Sequence, residues 1–241
     1  MVFINRKEER VSFKKNYEEN AQDNVSQVYV IEADHGIGKS EFIKEVSKYF
    51  SNYPLEIFQC DENEELSVFK RMVLELDKAS AEYGYDDFKT YFRKKVNNTK
   101  AIRLLLKITA IFGQTWAMSK GFDIKCASLI EDSIQSEKFI LNAQIENLFE
   151  YSKYVFTTVD MHVIFHHTKI IDSGSLNLLS KLIAISQRSV FIFESNNTET
   201  SSRIEHFLQN SHSVFYKKYI LSYYGRQKIT ERSLCKCPEK I

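Results

Sequence analysis

Five short runs of apolar residues, rich in β-branched and aromatic side chains, recur along this chain of 241 residues. Nearly continuous apolar runs of this length are typical of parallel strands that are buried on both faces of a sheet. The predicted strands are 27–32, 55–59, 161–166, 189–194 and 214–221.

The segments between these runs show helical periodicity. Apolar side chains recur every three or four residues in 42–50, 66–76, 141–155 and 176–183. Strands that alternate with such helices predict an α/β sandwich around a parallel sheet. Residues 80–138 form a lysine- and aromatic-rich insertion between the second and third strands, which we also expect to be helical. We therefore divide the chain into one domain over 1–222 and a basic C-terminal tail over 223–241.

Composition narrows the class of protein and its location. Hydrophobic residues make up 43% of the chain, which is ample for a buried core, and the net charge is +1. A charge so close to neutral gives no overall attraction to nucleic acid or membrane, although it leaves a local nucleic-acid contact open. The longest apolar stretch, 104–118, contains Lys107 and Gln114 and falls short of the roughly 18 apolar residues of a spanning helix. Because the first residues are charged, we expect no signal peptide, no membrane partner and a cytoplasmic location.

One motif stands between the first predicted strand and the first predicted helix. Residues 33–40, A-D-H-G-I-G-K-S, fit the phosphate-binding pattern G-x-x-x-x-G-K-[ST], except that Ala33 replaces the first glycine. Alanine is the smallest substitute for that glycine, and the strand before and helix after the motif are those that the pattern requires. The motif therefore predicts a loop that binds the phosphates of a nucleotide.

The motif assigns a role to each of its main residues. Gly36 and Gly38 let the backbone turn its N–H groups inward, and Lys39 would reach the β- and γ-phosphates. The Ser40 hydroxyl would hold Mg²⁺, and the helix that begins there would add its N-terminal dipole. The predicted nucleotide contacts in this segment are Asp34, His35, Gly36, Ile37, Gly38, Lys39, Ser40 and Glu41.

Further segments resemble STAND-type and AAA-like P-loop ATPases. "FINRKEE" at 3–9 resembles the F-x-x-R-x-x-E opening of that family, and 162–183 resembles its third strand and the helix that follows. "SVFIFESN" at 189–196 is similar to its fourth strand with the sensor position. The likeness extends roughly from Val2 to Ser222.

This resemblance implies a three-layer P-loop NTPase sandwich with a mainly parallel five-stranded sheet in the order 5-1-4-3-2. It also implies ATP and Mg²⁺ as ligands and a switch role, often in defence or signalling. In such proteins the opening segment packs near the adenine, so Arg6 is a predicted nucleotide contact. Asn196 occupies the sensor position that would contact the γ-phosphate.

The chain departs from this family at the end of the third strand. Two acids stand there in the family, whereas this sequence has His166 and His167. An imidazole can accept a proton, but it does not replace the negative charge that balances Mg²⁺. His166 remains the candidate beside the metal, and His167, Asp172 and Glu194 are the candidate catalytic groups. Since losing a general base typically slows a reaction about 10²–10⁴-fold, we expect binding to survive better than hydrolysis.

Three functional hypotheses follow. The first is an ATP-binding switch with weak or no hydrolysis. The second is a nucleotide-free interaction scaffold of the same fold, favoured by the His pair and by the aromatic-rich insertion around Trp116. The third is an active ATPase that uses His167, Asp172 or Glu194 in place of the usual acids. The expected ligands are ATP or ADP. A protein partner or a second copy of this chain is also expected, because no helical lid follows the last predicted strand.

Overall fold

The computed structural model describes residues 6–58, 66–96, 144–166, 171–196, 198–208 and 214–222. The strands are β1 (Ser26–Glu32), β2 (Leu55–Phe58), β3 (His162–His166), β4 (Val190–Ser195) and β5 (Val214–Ile220). The helices are α1 (Lys7–Gln22), α2 (Lys39–Ser47), α3 (Ser67–Tyr83), α4 (Phe88–Val96), α5 (Ile145–Thr158), α6 (Ser173–Ile185) and α7 (Thr198–Leu208). All five predicted strands are confirmed, and no strand end differs from its predicted position by more than one residue.

The strands form a single parallel sheet. Their order is β2-β3-β4-β1-β5, which is 5-1-4-3-2 when the sheet is followed from β5. Every paired strand in the sheet runs parallel to its neighbour. The predicted α/β class with a parallel sheet is confirmed.

Apolar side chains from both faces of the sheet form two cores. Successive residues of a strand point to opposite faces, so Val30 joins one core and Ile31 joins the other. Helices α1 and α2 cover the Ile31 face with Phe13, Phe42 and other fully buried side chains. Helices α3, α5, α6 and α7 cover the opposite face. The sheet is therefore the central layer of three, which explains why its strands are almost wholly apolar.

Helix α1 was not among the predicted helices. Phe13 is its one fully buried residue, and that ring packs 4.4 Å from the ring of Tyr29. Lys14 pairs with Glu18 on the exposed side at a spacing of four residues, an arrangement that supports helix formation. Because so little of the helix is apolar, its hydrophobic periodicity was too weak to reveal it.

The parallel arrangement brings several loops to one edge of the sheet. The carboxyl ends of β1, β3 and β4 all lie there, which is where ligands bind in open α/β sheets. The motif at 33–40 leaves β1 at this edge, His166 ends β3 and Ser195 ends β4. The fold therefore gathers most of the predicted site at one place.

Only part of the predicted insertion can be compared with the structure. Its described portion, 80–96, contains the end of α3 and the whole of α4, as expected of a helical segment. Residues 97–138, including Trp116, and the predicted basic tail 223–241 lie outside the described residues. Within the described ranges, no helix is long and apolar enough to cross a membrane.

Candidate functional site

The loop that joins β1 to α2 has the backbone conformation that its glycines permit. Gly36 and Gly38 have φ values of +80° and +86°, in the left-handed region that side chains disfavour. The Gly38 carbonyl accepts the Phe42 N–H at 2.9 Å, so Gly38 caps the start of α2. A Cβ added to Gly38 would meet nothing within 4 Å.

Lys39 is buried at the base of this loop. Its side chain is 6% exposed, and Nζ donates to the carbonyl oxygens of Ala33 at 2.7 Å and Asp34 at 2.9 Å. Burial lowers the pKa of the ammonium, while the negative charges of Glu194 and Asp34 act in the opposite direction. The lysine thus closes the loop on itself and places a positive charge beneath the turn.

The loop is anchored from its outer side by Ile37 and Arg6. Ile37 is buried and belongs to the core between the sheet and helices α1 and α2. The Arg6 guanidinium, 5% exposed, donates to the Ile37 carbonyl at 3.3 Å and to the Ser222 carbonyl at 3.2 Å. Arg6, predicted as a nucleotide contact, therefore binds the backbone of the loop and connects it to the segment after β5.

Beneath the start of α2, Ser40, Glu194 and His166 form a hydrogen-bonded series. The Ser40 hydroxyl donates to Glu194 Oε1 at 3.2 Å, and His166 Nδ1 lies 2.9 Å from Glu194 Oε2. The Glu194 side chain is almost fully buried, since the residue is 1% exposed. The Phe58 ring stacks on the His166 ring at 4.7 Å. We call these three polar residues the serine–glutamate–histidine cluster.

Strand register explains why this cluster forms. Phe165 of β3 pairs with Phe193 of β4, so the next residues, His166 and Glu194, are neighbours at the strand ends. Both side chains point to the face covered by α2, where Ser40 lies. The sequence motif identified Ser40, and the ends of the third and fourth predicted strands identified His166 and Glu194, but the grouping depends on β3 and β4 being adjacent. The one signal in the sequence was a polar residue at the end of each apolar run.

The remaining predicted residues occupy three kinds of position. Asp34, His35 and Glu41 are exposed along the loop and the first turn of α2. Asn196 directly follows β4 at the same edge of the sheet and is partly buried. His167 lies outside the described residues.

Asp172 has a structural contact that the sequence did not reveal. Its Oδ1 accepts the Ser175 N–H at 2.7 Å, so its side chain caps the N-terminus of α6. If Asp172 has the predicted catalytic role, it must perform it while Oδ1 accepts the Ser175 N–H.

The oxygen donors of the site fit a hard cation that is bound together with the phosphates of a nucleotide better than a cation bound by protein side chains alone. Ser40 and Glu194 supply oxygen donors, the type that Mg²⁺ prefers. Within the part of the chain that the structure describes, no group of three or more His, Cys, Asp or Glu side chains could hold a metal ion. Since Mg²⁺ commonly takes a few protein oxygens and completes its shell with phosphates and water, these residues fit a metal that arrives with a nucleotide.

No protein-family model matches the sequence, and no curated protein matches it. The function therefore has to be inferred from the loop and the residues around it.

Proposed function

We propose that this protein binds ATP with Mg²⁺ through the loop at 33–40, hydrolyses it slowly or not at all, and acts as a nucleotide-dependent switch. ADP would occupy the same site. The proposal rests on the conformation of the loop, and the choice of adenine nucleotide rests on the resemblance to P-loop ATPases.

The observation that carries the proposal is the combination of two left-handed glycines, a buried lysine and a helix N-terminus in one short loop. Gly36 and Gly38 turn the backbone at the start of α2, and Lys39 adds a positive charge beneath the turn. A helix N-terminus presents unsatisfied N–H groups and a partial positive charge, both of which favour phosphate. A Cβ at Gly38 would meet nothing within 4 Å, so no neighbouring residue crowds the turn at that point.

Slow hydrolysis is supported by the hydrogen bonds of the candidate catalytic carboxylates. Glu194 is buried and interacts through both oxygens with Ser40 and His166. Asp172 uses one oxygen to cap α6. A general base must be free to take a proton from water within hydrogen-bond reach, and these contacts compete with that role.

A switch role is supported by the position of Arg6. The guanidinium joins the carbonyl of Ile37, inside the loop, to that of Ser222, beyond the last strand. A ligand that shifts the loop backbone would change both contacts together. The nucleotide state is thus coupled to the segment that leaves the sheet after β5.

The test is an equilibrium titration of ATP and ADP, with and without Mg²⁺, on the parent, Lys39→Ala and Lys44→Ala. Lys44 is an exposed lysine of the same helix and provides a matched control. We expect parent affinity in about the micromolar range, and a loss of about 10- to 100-fold in Lys39→Ala, because a charged hydrogen bond contributes about 1.5–3 kcal/mol. Lys44→Ala should bind like the parent. Phosphate release, measured in the same samples, should stay well below the roughly 1–10³ s⁻¹ of typical enzymes.

A second candidate is a nucleotide-free interaction scaffold. Its support is that the Lys39 ammonium already donates to two carbonyls of its own loop, which gives the lysine a purely structural use. In that case the parent would not bind ATP or ADP, and Lys39→Ala would change only the stability of the fold. Brisk phosphate release by the parent would instead contradict both candidates and favour an active ATPase.

A further inference from the structure

We propose that Glu194 supplies, from β4, the negative charge for Mg²⁺ that the histidine at the end of β3 does not provide, and that His166 positions it. Glu194 would act through the Ser40 hydroxyl and therefore as a positioning residue. This inference rests on the proposed nucleotide-binding function, but it concerns different residues from Lys39 and can fail separately.

The direction of the hydrogen bond between Ser40 and Glu194 is the first argument. An ionised carboxylate only accepts hydrogen bonds, so the Ser40 hydroxyl must donate its proton to Glu194 Oε1, 3.2 Å away. The lone pairs of the Ser40 oxygen then remain available on the side away from Glu194. A hydroxyl held in this way is a pre-oriented oxygen ligand for a cation that arrives with the phosphates.

The second argument is the burial of the carboxylate. Glu194 is 1% exposed at the end of a strand whose preceding residues are apolar. A buried carboxylate is expensive unless it is matched by donors and positive charge. Lys39 provides one positive charge close by, and a divalent cation bound with a nucleotide would provide another. A cationic ligand at this place would thus add to the compensation that Ser40, His166 and Lys39 already give the buried acid.

His166 fixes the orientation of that carboxylate. Because an ionised carboxylate only accepts, Nδ1 of His166 must carry the proton of its 2.9 Å hydrogen bond to Glu194 Oε2, while the Phe58 ring stacks on the face of the imidazole at 4.7 Å. With Oε2 held by the imidazole, Oε1 is directed toward Ser40. The residue at the end of β3 thus orients an acid on the neighbouring strand instead of being the acid itself.

The experiment measures how much Mg²⁺ increases ATP affinity in four proteins: the parent, Glu194→Gln, the double variant His166→Asp with Glu194→Gln, and Glu45→Gln. Glu45 is a carboxylate on the outer part of α2 that pairs with Arg10 and Lys48, and it serves as the control. Thermal unfolding of each protein without ligand establishes that it is folded. The readout is a ratio of two dissociation constants, which a general loss of stability does not change.

We expect Glu194→Gln to lose at least about tenfold, or about 1.4 kcal/mol, of the gain in ATP affinity that Mg²⁺ gives the parent. Its affinity without Mg²⁺ should change little. The double variant should regain much of the loss, because it returns a carboxylate to the same place from β3. Glu45→Gln should behave like the parent.

A parent-like Mg²⁺ gain in Glu194→Gln would overturn the inference. So would a folded double variant that recovers none of the gain, because Glu194 would then be shown to act through packing and not through charge. If Glu194→Gln does not fold, Ser40→Ala provides the test, since it removes the link and leaves Glu194 in place; a full Mg²⁺ gain in Ser40→Ala would again refute the proposal. One combination of results separates the two proposals: Lys39→Ala loses ATP binding, and Glu194→Gln keeps the parent's gain in affinity from Mg²⁺. That outcome would support the nucleotide site and refute only the role of Glu194.

Discussion

His166 Nδ1 lies 2.9 Å from Glu194 Oε2, across the carboxyl ends of two adjacent parallel strands. This contact joins the histidine that ends β3 to the buried acid that also receives the Ser40 hydroxyl. It also makes each residue dependent on the other, because the carboxylate needs a donor and the ring needs a fixed orientation.

The first prediction concerns this pair. His166→Phe keeps a ring that can stack on Phe58 but removes the N–H that Glu194 accepts. We expect the free energy of unfolding to fall by about 1–3 kcal/mol, the usual effect of taking a donor from a buried polar group. Urea denaturation without nucleotide measures the change. His206→Phe, on the exposed side of α7, should stay within about 0.5 kcal/mol of the parent. Equal stability of the two variants would mean that Glu194 does not depend on the imidazole.

Arg6 provides a second prediction. Its guanidinium reaches two carbonyls in separate parts of the chain, Ile37 and Ser222, with one planar group. Arg6→Lys keeps the charge but has a single nitrogen, which we do not expect to keep both the Nη2 bonds to the two carbonyls and the Nη1 pair with Glu9. Stability should fall by about 1–2 kcal/mol, and Arg6→Ala should lose more.

Chemical denaturation of the two Arg6 variants, with Lys14→Ala as control, tests this bridge. Lys14 is an exposed cation of α1, the helix that Arg6 precedes; it pairs with Glu18 and lies 5.8 Å from the Tyr49 ring centre, so its loss should cost about 1 kcal/mol or less. If Arg6→Lys proves as stable as the parent, positive charge alone accounts for the role of Arg6.

The sequence predicted the sheet well because its strands are buried on both faces. Residues such as Val163–Phe165 and Phe191–Phe193 leave no polar position within the strand, and a continuous apolar run is easy to recognise. Helix α1 was missed for the opposite reason, since Phe13 is the one side chain it buries completely.

The candidate site was predictable only where its residues are consecutive. Residues 33–40 form one loop, so spacing alone identified Lys39 and Ser40 as a pair. In the cluster, Ser40 contacts Glu194, 154 positions away, and Glu194 contacts His166, 28 positions away, so its formation depends on strand order and register. Similarly, nothing in the sequence indicated that Arg6 would contact the Ser222 carbonyl, because backbone acceptors carry no residue-specific signal.

A third prediction separates two effects of replacing Gly38: the loss of stability from its left-handed backbone, and the loss of ATP binding. Gly38 and Gly84 both have positive φ, +86° and +74°, and an added Cβ meets nothing within 4 Å at either. Gly38→Ala and Gly84→Ala should therefore cost about the same stability, roughly 1–2 kcal/mol, from the left-handed backbone alone. Gly84 ends α3, away from the loop. We expect weaker ATP binding in Gly38→Ala only, measured by the same titration as for Lys39. Equal affinities in both variants would place the nucleotide away from Gly38.

The last prediction concerns pH and lies at the opposite end of β3. His162 is 2% exposed, with Nε2 3.2 Å from the Tyr17 hydroxyl and its ring stacked on Phe50 at 4.4 Å. Burial lowers the pKa of His162 from 6.5 to about 4. Between those values the unfolded chain binds a proton that the folded protein does not, so the free energy of unfolding falls as the pH drops from about 6.5 to about 4. At about pH 5 this single group should remove about 2 kcal/mol of the stability present at pH 7.

Other groups also titrate in acid, so the test compares variants instead of absolute values. His162→Phe preserves an aromatic ring against Phe50 and has no proton to bind. Urea denaturation at about pH 7 and about pH 5 should show a loss in this variant that is about 2 kcal/mol smaller than in the parent. His206→Phe removes an exposed histidine and should keep the parent's full loss. If His162→Phe loses as much stability as the parent, the folded protein accepts a proton at His162 near its ordinary pKa, and burial does not govern the titration of this ring.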